Sequence, residues 1–245
     1  MKKLDLTKYK RVFAFGCSFT AYIYPTWADV LVKSLNDDVE YYNFGKSGGG
    51  NLFISHRIVE TNKKFKFTDT DLILVMWSTF SRIDFYRQQK GWITPGNIYT
   101  QDELSRNTVE EIADIYWFMI RDLANITVTT EYIKTIPCDN LSFLSVPFDY
   151  EKHMQRLPDN KFPMHVLETY KDLEESFPLS LWHFKNKQWL STISYQHPHH
   201  GMFVDYHPNP EEYCNYLISL GIELNQSSID YAKQATIFLK QSNLD

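Results

Sequence analysis

The segment Asp71–Trp77, with the sequence DLILVMW, is the feature that most narrows the fold of this chain. A near-continuous apolar run of this length is typical of a parallel strand that is covered on both faces. Shorter runs predict further strands at Val12–Gly16, Val39–Asn43 and Leu141–Pro147. Apolar residues at helical spacing lie between these runs, so strands and helices alternate along the chain. This alternation predicts an α/β fold with an open parallel sheet and helices on both faces.

The spacing of apolar residues predicts helices over about 26–35, 108–136, 210–220 and 227–240, and one more that Asn51 would cap. Residues 150–200 are rich in Pro, His, Trp and Lys and have weak periodicity, which indicates an insertion that caps one end of the sheet. Because no internal repeat or linker is evident, we expect residues 1–245 to form a single domain.

The net charge of -5 comes from interleaved acidic and basic residues, with no basic run beyond the first eleven positions. A protein that follows nucleic-acid phosphates needs a positive stripe, so nucleic acid is not expected as a partner. Cys17, Cys138 and Cys214 are far apart and form no C-x-x-C pair, which suits a reducing compartment. No segment has the apolar run of a signal peptide or of a membrane span. We therefore expect a cytoplasmic protein without a membrane partner.

Polar residues that could carry chemistry follow three of the predicted strands, at the sheet edge where α/β proteins bind ligands. Gly16-Cys17-Ser18 follows the first strand and leaves the Ser18 hydroxyl at the lip of the sheet, near the start of a helix. Alone, a Gly-x-Ser sequence after a strand more often marks a structural turn. The neighbouring Cys17 would point to the opposite face of the strand and is interpreted as a packed residue.

The glycine-rich turn between Asn43 and Asn51 follows the second strand and brings backbone amides close to a ligand. A phosphate-binding loop would need a glycine where Glu40 stands, which excludes that motif. Trp77 and Ser78 end the strongest strand, and the Ser78 hydroxyl could donate to an oxyanion. Asn51, Trp77 and Arg82 are candidate substrate contacts. For Arg82 we expect first a bracing role through Asp84, although it could also hold an anionic substrate group.

Asp205-Tyr206-His207-Pro208-Asn209 forms the fourth segment, just before a helix that Pro210 can begin. His207 could take the proton of Ser18 while Asp205 orients the imidazole. Alone, such a pair is more often a helix cap and a solvated histidine.

Together and in this order, the four segments resemble the four blocks of the SGNH/GDSL hydrolases. The resemblance extends from about Val12 to Leu220, apart from the insertion. It implies a flavodoxin-like three-layer α/β/α sandwich and a serine acyl-enzyme that needs no cofactor or metal. By position it implies Ser18 as nucleophile and His207 as general base, and Asp205, close to His207 in sequence, is the candidate acid. The oxyanion donors would be Ser18 N–H, Gly48 N–H and the Ser78 side chain.

The chain departs from the family pattern at three positions. Cys17 stands where the first block usually has Asp, and Ser78 stands where the third block has Asn. The family acid is usually three residues before the histidine, a position occupied here by Val204, whereas Asp205 is two before it. Loss of one oxyanion donor typically slows a reaction about 100- to 1000-fold, so Ser78 predicts a slower enzyme rather than an inactive one.

The implied substrate is a small molecule or carbohydrate that carries a short acyl ester. Four aromatic residues of the insertion could shape its pocket: Trp182, Phe184, Trp189 and Tyr195. Two other readings stay open: an O-acyltransferase with the same acyl-enzyme, and a carbohydrate- or protein-binding module on the same fold. A Cys17 thiol nucleophile is not favoured, because Cys17 is interpreted as a packed residue. A metal site at His197, His199, His200 and His207 is less favoured than solvated histidines, because the run lies in a predicted loop.

Overall fold

The structure is a computed structural model. It describes residues 5–99, 101–112, 114–146, 169–170, 172–173, 175–185, 193–197, 201–205 and 207–241, with backbone alone at 115–116, 193–197 and 201–205. In chain order the elements are β1 Arg11–Phe15, α1 Trp27–Val32, β2 Glu40–Asn43, α2 Asn51–Phe65, β3 Asp71–Trp77, β4 Phe85–Arg87, β5 Gly91–Ile93, α3 Arg106–Ile112, α4 Ile115–Lys134, β6 Asp139–Leu144, α5 Leu181–Phe184, β7 Ile193–His197, β8 Gly201–Asp205, α6 Pro210–Ser219 and α7 Gln226–Gln241.

Four strands form a parallel sheet in the order β2-β1-β3-β6. In register, Arg11 lies between Glu40 on one side and Asp71 on the other. The strand β3 pairs on both edges, and every one of its residues is buried. This confirms the central parallel strand that the apolar run predicts. The strand order is that of a flavodoxin-like sheet, whose ligands bind beyond the carboxyl ends of the strands, where the order reverses next to β1.

Two hydrophobic clusters cover the two faces of this sheet. Val12 and Ala14 of β1 point into a first cluster with α1, α6 and α7. Phe13 and Phe15 of the same strand point into a second cluster with α2 and α4. This period-two alternation follows from the pleat of the strand. The molecule therefore has the three-layer α/β/α architecture that the sequence predicts.

Several predicted elements differ from the structure in their bounds. The predicted helix over about 108–136 is two helices, α3 and α4. Asp114 caps the second one, since its carboxylate accepts a hydrogen bond from Trp117 N–H at 3.5 Å. The strand predicted at Leu141–Pro147 begins and ends earlier, as β6. Asn51 was expected to cap α2, but it is the first helical residue, and Gly50 is the N-cap.

Two antiparallel hairpins, β4–β5 and β7–β8, were not predicted. The second lies in and after the insertion expected at about 150–200, most of which falls outside the described residues. None of the helices in the described part of the chain is both long enough and apolar enough to cross a bilayer.

Candidate active site

Ser18 lies in a tight turn directly after β1. Thr20 N–H and Ala21 N–H both donate to the carbonyl of Cys17, at 2.9 and 3.1 Å. A Cβ on Gly16 would lie 2.0 Å from Thr20 Oγ1, so a glycine is needed for this close approach. The turn holds Ser18 at the carboxyl end of β1, with 6% of the residue exposed.

His207 approaches Ser18 from the other end of the chain. Its Nε2 lies 2.8 Å from Ser18 Oγ. The residue stands just before α6, whose N-cap Asn209 forms a capping box with Glu212 and whose first residue is Pro210. When the other ring nitrogen carries the proton, the Ser18 hydroxyl donates to Nε2. In that tautomer Nε2 can accept the serine proton as the oxygen attacks a carbonyl carbon.

Three aromatic residues just after Ser18 surround His207. The ring of Tyr22 stacks on the imidazole, with centroids 4.1 Å apart and planes 20° apart. The Phe19 ring lies 4.8 Å away in a tilted contact, and Tyr24 Oη donates to the His207 carbonyl at 3.4 Å. None of these three residues stands in a motif that predicts a role in the site. The only sequence feature that could have indicated them is the closeness of three aromatic residues, Phe19, Tyr22 and Tyr24, in the loop that follows Ser18.

The glycine-rich turn is joined to the Ser18 turn by backbone hydrogen bonds. Lys46 N–H donates to the carbonyl of Gly16 at 3.0 Å, two residues before the serine. Gly48 has a φ of +74°, and a Cβ there would lie 2.2 Å from the carbonyl oxygen of Thr94. Among the described residues, neither Ser18 N–H nor Gly48 N–H has an acceptor. Two backbone donors are thus left unused on two turns that are bonded to each other.

The third predicted segment lies in the interior. Trp77 is fully buried in the second hydrophobic cluster, so it lines no surface that a substrate could reach. Ser78 is 2% exposed, and its backbone pairs with the Asn51 side chain. Ser78 N–H donates to Asn51 Oδ1 at 2.8 Å, and Asn51 Nδ2 donates back to the Ser78 carbonyl at 3.0 Å. Ser78 Oγ is buried and has no hydrogen-bond partner in the described part of the chain.

Asn51 is fully buried and links Ser78 to a charged pair on α4, instead of facing a substrate. Its Nδ2 also donates to Asp122 Oδ2 at 3.0 Å, while Arg121 Nε donates to Asp122 Oδ1 at 2.7 Å. Burial raises the pKa of the Asp122 carboxyl to about 7, although the Arg121 guanidinium opposes this shift. Sequence reasoning missed Asp122, since a carboxylate inside a predicted helix gives no signal that it is buried.

Arg82 braces the loops, but through a different partner from the predicted Asp84. Arg82 Nη1 donates to the carbonyl of Gly49 at 2.9 Å. Asp84 instead accepts hydrogen bonds from Gly50 N–H and Phe53 N–H, at 2.8 and 3.0 Å. Burial raises the pKa of the Asp84 carboxyl. Both side chains fix the start of α2, next to the glycine-rich turn.

Some predicted residues fall outside what the structure describes. Asp205 is the last residue of β8, and its side chain is not among the described ones. The side chains of Tyr195 and His197 also lie outside the described part of the chain. Trp189, His199 and His200 lie wholly outside the described residues. Phe184 packs against Tyr216 at the edge of the first hydrophobic cluster.

Cys17 is fully buried, as a packed residue would be. Cys138 and Cys214 are also free thiols. Within the described residues, no three His, Cys, Asp or Glu side chains cluster as metal ligands would.

A scan against models of known protein families finds no match, and a comparison with curated protein sequences finds none either. Solved structures with a similar fold include a member of the lipolytic G-D-S-L family from Veillonella parvula, 16% identical, with 91% of this chain and 96% of that one covered and a TM-score of 0.40. A GDSL-like lipase from Bacteroides thetaiotaomicron is 13% identical, with 96% and 88% covered and a TM-score of 0.34. The psychrotrophic esterase EstA from Pseudoalteromonas is 11% identical, with 66% and 74% covered and a TM-score of 0.33.

Likeness at this level says nothing about the substrate or about the roles of residues. These roles have to be inferred from the distances within the site itself. In its four sequence blocks and in the strand order of its sheet, the chain resembles the SGNH/GDSL hydrolases.

Proposed function

We propose that this chain is a serine hydrolase that cleaves short acyl esters through a Ser18 acyl-enzyme. The observation that carries this proposal is the 2.8 Å separation of Ser18 Oγ and His207 Nε2 at the carboxyl edge of a parallel sheet. The two residues are far apart in sequence. A nucleophile within hydrogen-bond reach of a base is the arrangement that nucleophilic catalysis needs.

In the first half of the reaction, Ser18 Oγ attacks the ester carbonyl carbon and its proton passes to His207 Nε2. The tetrahedral intermediate then collapses, and the ester C–O bond breaks. The departing alcohol takes the proton from His207. In the second half, water attacks the acyl-enzyme, His207 takes one water proton and returns it to Ser18 Oγ, and the carboxylic acid leaves.

The oxyanion of each intermediate would accept hydrogen bonds from Ser18 N–H and Gly48 N–H. This role is supported by the lack of an acceptor for either donor among the described residues. Ser78 Oγ is the third proposed donor, since it is buried without a partner in the described chain. Donors held in place before the reaction stabilise developing charge at little cost in reorganisation.

Asp205 is the proposed acid that orients the His207 ring, and it stands two residues before it. The proposed substrates are small acyl esters, O-acetylated carbohydrates among them, because the four sequence blocks resemble a family of esterases. The proposed location is the cytoplasm, since the three cysteines are free thiols.

The test is turnover of p-nitrophenyl acetate by the wild type beside Ser18→Ala and His207→Ala. Both variants should lose about 10⁴-fold or more in kcat/KM, because nucleophile and base act as a unit. A fluorophosphonate probe should label the wild type and fail to label Ser18→Ala. Ser227→Ala, at an exposed position on α7, is the matched serine control and should retain both activity and labelling.

Labelling that persists in Ser18→Ala, or a wild type that neither turns over nor labels, would contradict the proposal. In the second case the binding-module reading would replace it. Product analysis with and without a sugar acceptor then separates hydrolysis from acyl transfer, because only acyl transfer moves the acyl group onto the acceptor.

A further inference from the structure

The side chain of Asn51 has a hydrogen-bonding pattern that the reaction above does not use. The residue is fully buried at the start of α2. Its Oδ1 accepts from Ser78 N–H at 2.8 Å, and its Nδ2 donates to the Ser78 carbonyl and to Asp122 Oδ2, each at 3.0 Å. Both hydrogens of the amide and its oxygen are therefore engaged. The amide cannot rotate without losing buried hydrogen bonds, so Asn51 is a fixed link between the end of β3 and α4.

Ser78, which this link holds, lies on the strand next to that of the proposed nucleophile. The strands β1 and β3 pair in register as far as Phe15 and Val75, and Ser18 and Ser78 each stand three residues beyond that pair. Ser78 is the first residue after β3, and Asn51 bonds to both polar groups of its backbone. Since a serine Oγ occupies one of a few staggered positions about its Cα–Cβ bond, a fixed backbone also limits where Ser78 Oγ can lie.

The other end of the link is a charged pair on α4. Asp122 is fully buried, and Arg121 Nε donates to its Oδ1 at 2.7 Å. The Arg121 guanidinium lies over the Phe118 ring, 4.9 Å from its centroid, and donates to the Arg82 carbonyl at 2.7 Å. Each of these groups is held by more than one contact. A shift of the Asn51 amide would therefore disturb a buried network and not a single hydrogen bond.

The start of α2 does not need the Asn51 side chain as a cap. Asp84 already accepts hydrogen bonds from Gly50 N–H and Phe53 N–H. In the described part of the chain, the Asn51 side chain makes its hydrogen bonds to the segment after β3 and to α4, and none to its own helix. Next to it, Ser78 Oγ is buried and has no partner among the described residues. A buried hydroxyl without an acceptor costs free energy, and a reaction intermediate can supply that acceptor.

We infer that Asn51 is a positioning residue for the oxyanion hole. It holds the Ser78 backbone so that Ser78 Oγ is in place before the substrate carbonyl gains negative charge, and Asp122 keeps the Asn51 amide in this orientation. Donors fixed in advance need no reorganisation during the reaction. This inference rests on the proposed function, because it concerns a donor to the oxyanion of that reaction.

The test is a double-mutant cycle on p-nitrophenyl acetate turnover, with Asn51→Ala and Ser78→Ala made singly and together. Asn51→Ala should lower kcat by about 10-fold through misplacement of the donor. KM should change little, because the oxyanion is stabilised only in the transition state. Ser78→Ala should lower kcat by about 100-fold. In the Ser78→Ala background, Asn51→Ala should cost less than about twofold, since the donor that Asn51 positions is already gone.

Two further variants separate this role from a role in stability alone. Asn51→Asp keeps the shape of the side chain and the acceptor for Ser78 N–H, but an ionised carboxylate cannot donate to the Ser78 carbonyl. It should lose kcat as Asn51→Ala does, and it carries the test if circular dichroism shows that Asn51→Ala is unfolded. Asn62→Ala is the matched control, because Asn62 lies on the same helix and its Nδ2 also donates to α4, at Tyr132 Oη, 2.7 Å away. This control should keep the wild-type kcat.

The two possible failures give different results. With an active wild type, an unchanged kcat in Asn51→Asp, a rise in KM alone, or an equal loss from Asn51→Ala in both backgrounds would overturn the inference and leave the proposed function standing. A loss of kcat in Asn62→Ala as large as that in Asn51→Ala would also overturn it, by assigning the effect to the packing of α2 on α4. A wild type without turnover, or turnover that survives Ser18→Ala, would overturn the proposed function and this inference with it.

Discussion

The ring of Tyr22 is the residue-scale feature with the clearest consequence for chemistry. It stacks on His207 with centroids 4.1 Å apart. As His207 takes the Ser18 proton it becomes a cation, and the face of an aromatic ring attracts a cation. The stacked ring also restricts the imidazole to the orientation that brings Nε2 to 2.8 Å from Ser18 Oγ. Tyr22 is thus a positioning residue for the proposed base, without contact to the reacting carbon.

Replacement of Tyr22 by Leu should lower kcat on p-nitrophenyl acetate by about fivefold, the equivalent of roughly 1 kcal/mol of ring–cation attraction. KM should change little, because the ring acts on the base. Tyr22→Phe keeps the ring and should retain wild-type kcat. Equal losses in Tyr22→Phe and Tyr22→Leu would assign the effect to the hydroxyl and contradict the stacking role.

At this scale the sequence pointed to polar residues and missed aromatic ones. Ser18 and His207 stand in recognisable short motifs, and the structure brings them together. Phe19, Tyr22 and Tyr24 lie in a loop, where no helical or strand period shows which neighbours a ring will meet. Asn51 and Trp77, expected near a substrate, are buried, since sequence alone does not show which way a residue at a strand end or helix start faces.

At the scale of elements, the start of α2 depends on a residue from another part of the chain. Its N-cap is Gly50, which has no side chain to accept a hydrogen bond. The carboxylate of Asp84 takes this role by accepting from both Gly50 N–H and Phe53 N–H. These are the two donors that a capping box satisfies from within a helix. A negative charge at this place also interacts favourably with the positive end of the helix dipole.

Asp84→Ala should therefore destabilise the fold by about 3 kcal/mol, because two buried backbone donors lose a charged acceptor. Asp84→Asn can still accept one of the two hydrogen bonds and should cost about half as much. Urea unfolding followed by circular dichroism measures both values. Asp69→Ala, at an exposed loop position, is the control. A loss below about 1 kcal/mol in Asp84→Ala would show that water replaces the carboxylate.

The elements that the sequence predicted best are those whose burial is most uniform. The bounds of β3 match the apolar run, because a strand covered on both faces has apolar residues at every position. The hairpin β4–β5 was missed since its residues are half-buried or exposed and carry no simple alternation. A cavity that Tyr86 and Trp92 of this hairpin help to line was missed for the same reason.

At the scale of the whole molecule, the layer between the sheet and α4 combines an apolar core with a buried ion pair. Phe118, Met119 and Leu123 of α4 pack in the second hydrophobic cluster. Asp122, between them in sequence, is fully buried and pairs with Arg121 at 2.7 Å. A charge in such a place costs free energy unless it is compensated, so the protonated carboxyl is favoured in the folded protein.

This burial couples overall stability to pH. The folded-state pKa of Asp122 is raised to about 7, whereas an aspartate in the unfolded chain has a pKa near 3.8. Between these values the folded protein holds a proton that the unfolded chain has released. The contribution of Asp122 to the free energy of unfolding is therefore full below about pH 4 and is lost as pH rises through about 7.

The free energy of unfolding should consequently fall between pH 5 and pH 8 by about 2–3 kcal/mol more in the wild type than in Asp122→Asn. At pH 5 the neutral Asn side chain stands in for the protonated carboxyl, whereas at pH 8 the variant lacks the charged pair with Arg121, so the test compares the slopes of stability against pH. Urea titrations at pH 5, 6, 7 and 8 measure it, with the exposed Asp37→Asn as a control that should keep the wild-type slope. Parallel curves for wild type and Asp122→Asn would mean that Asp122 stays ionised throughout this range, held by Arg121 and by the Asn51 amide.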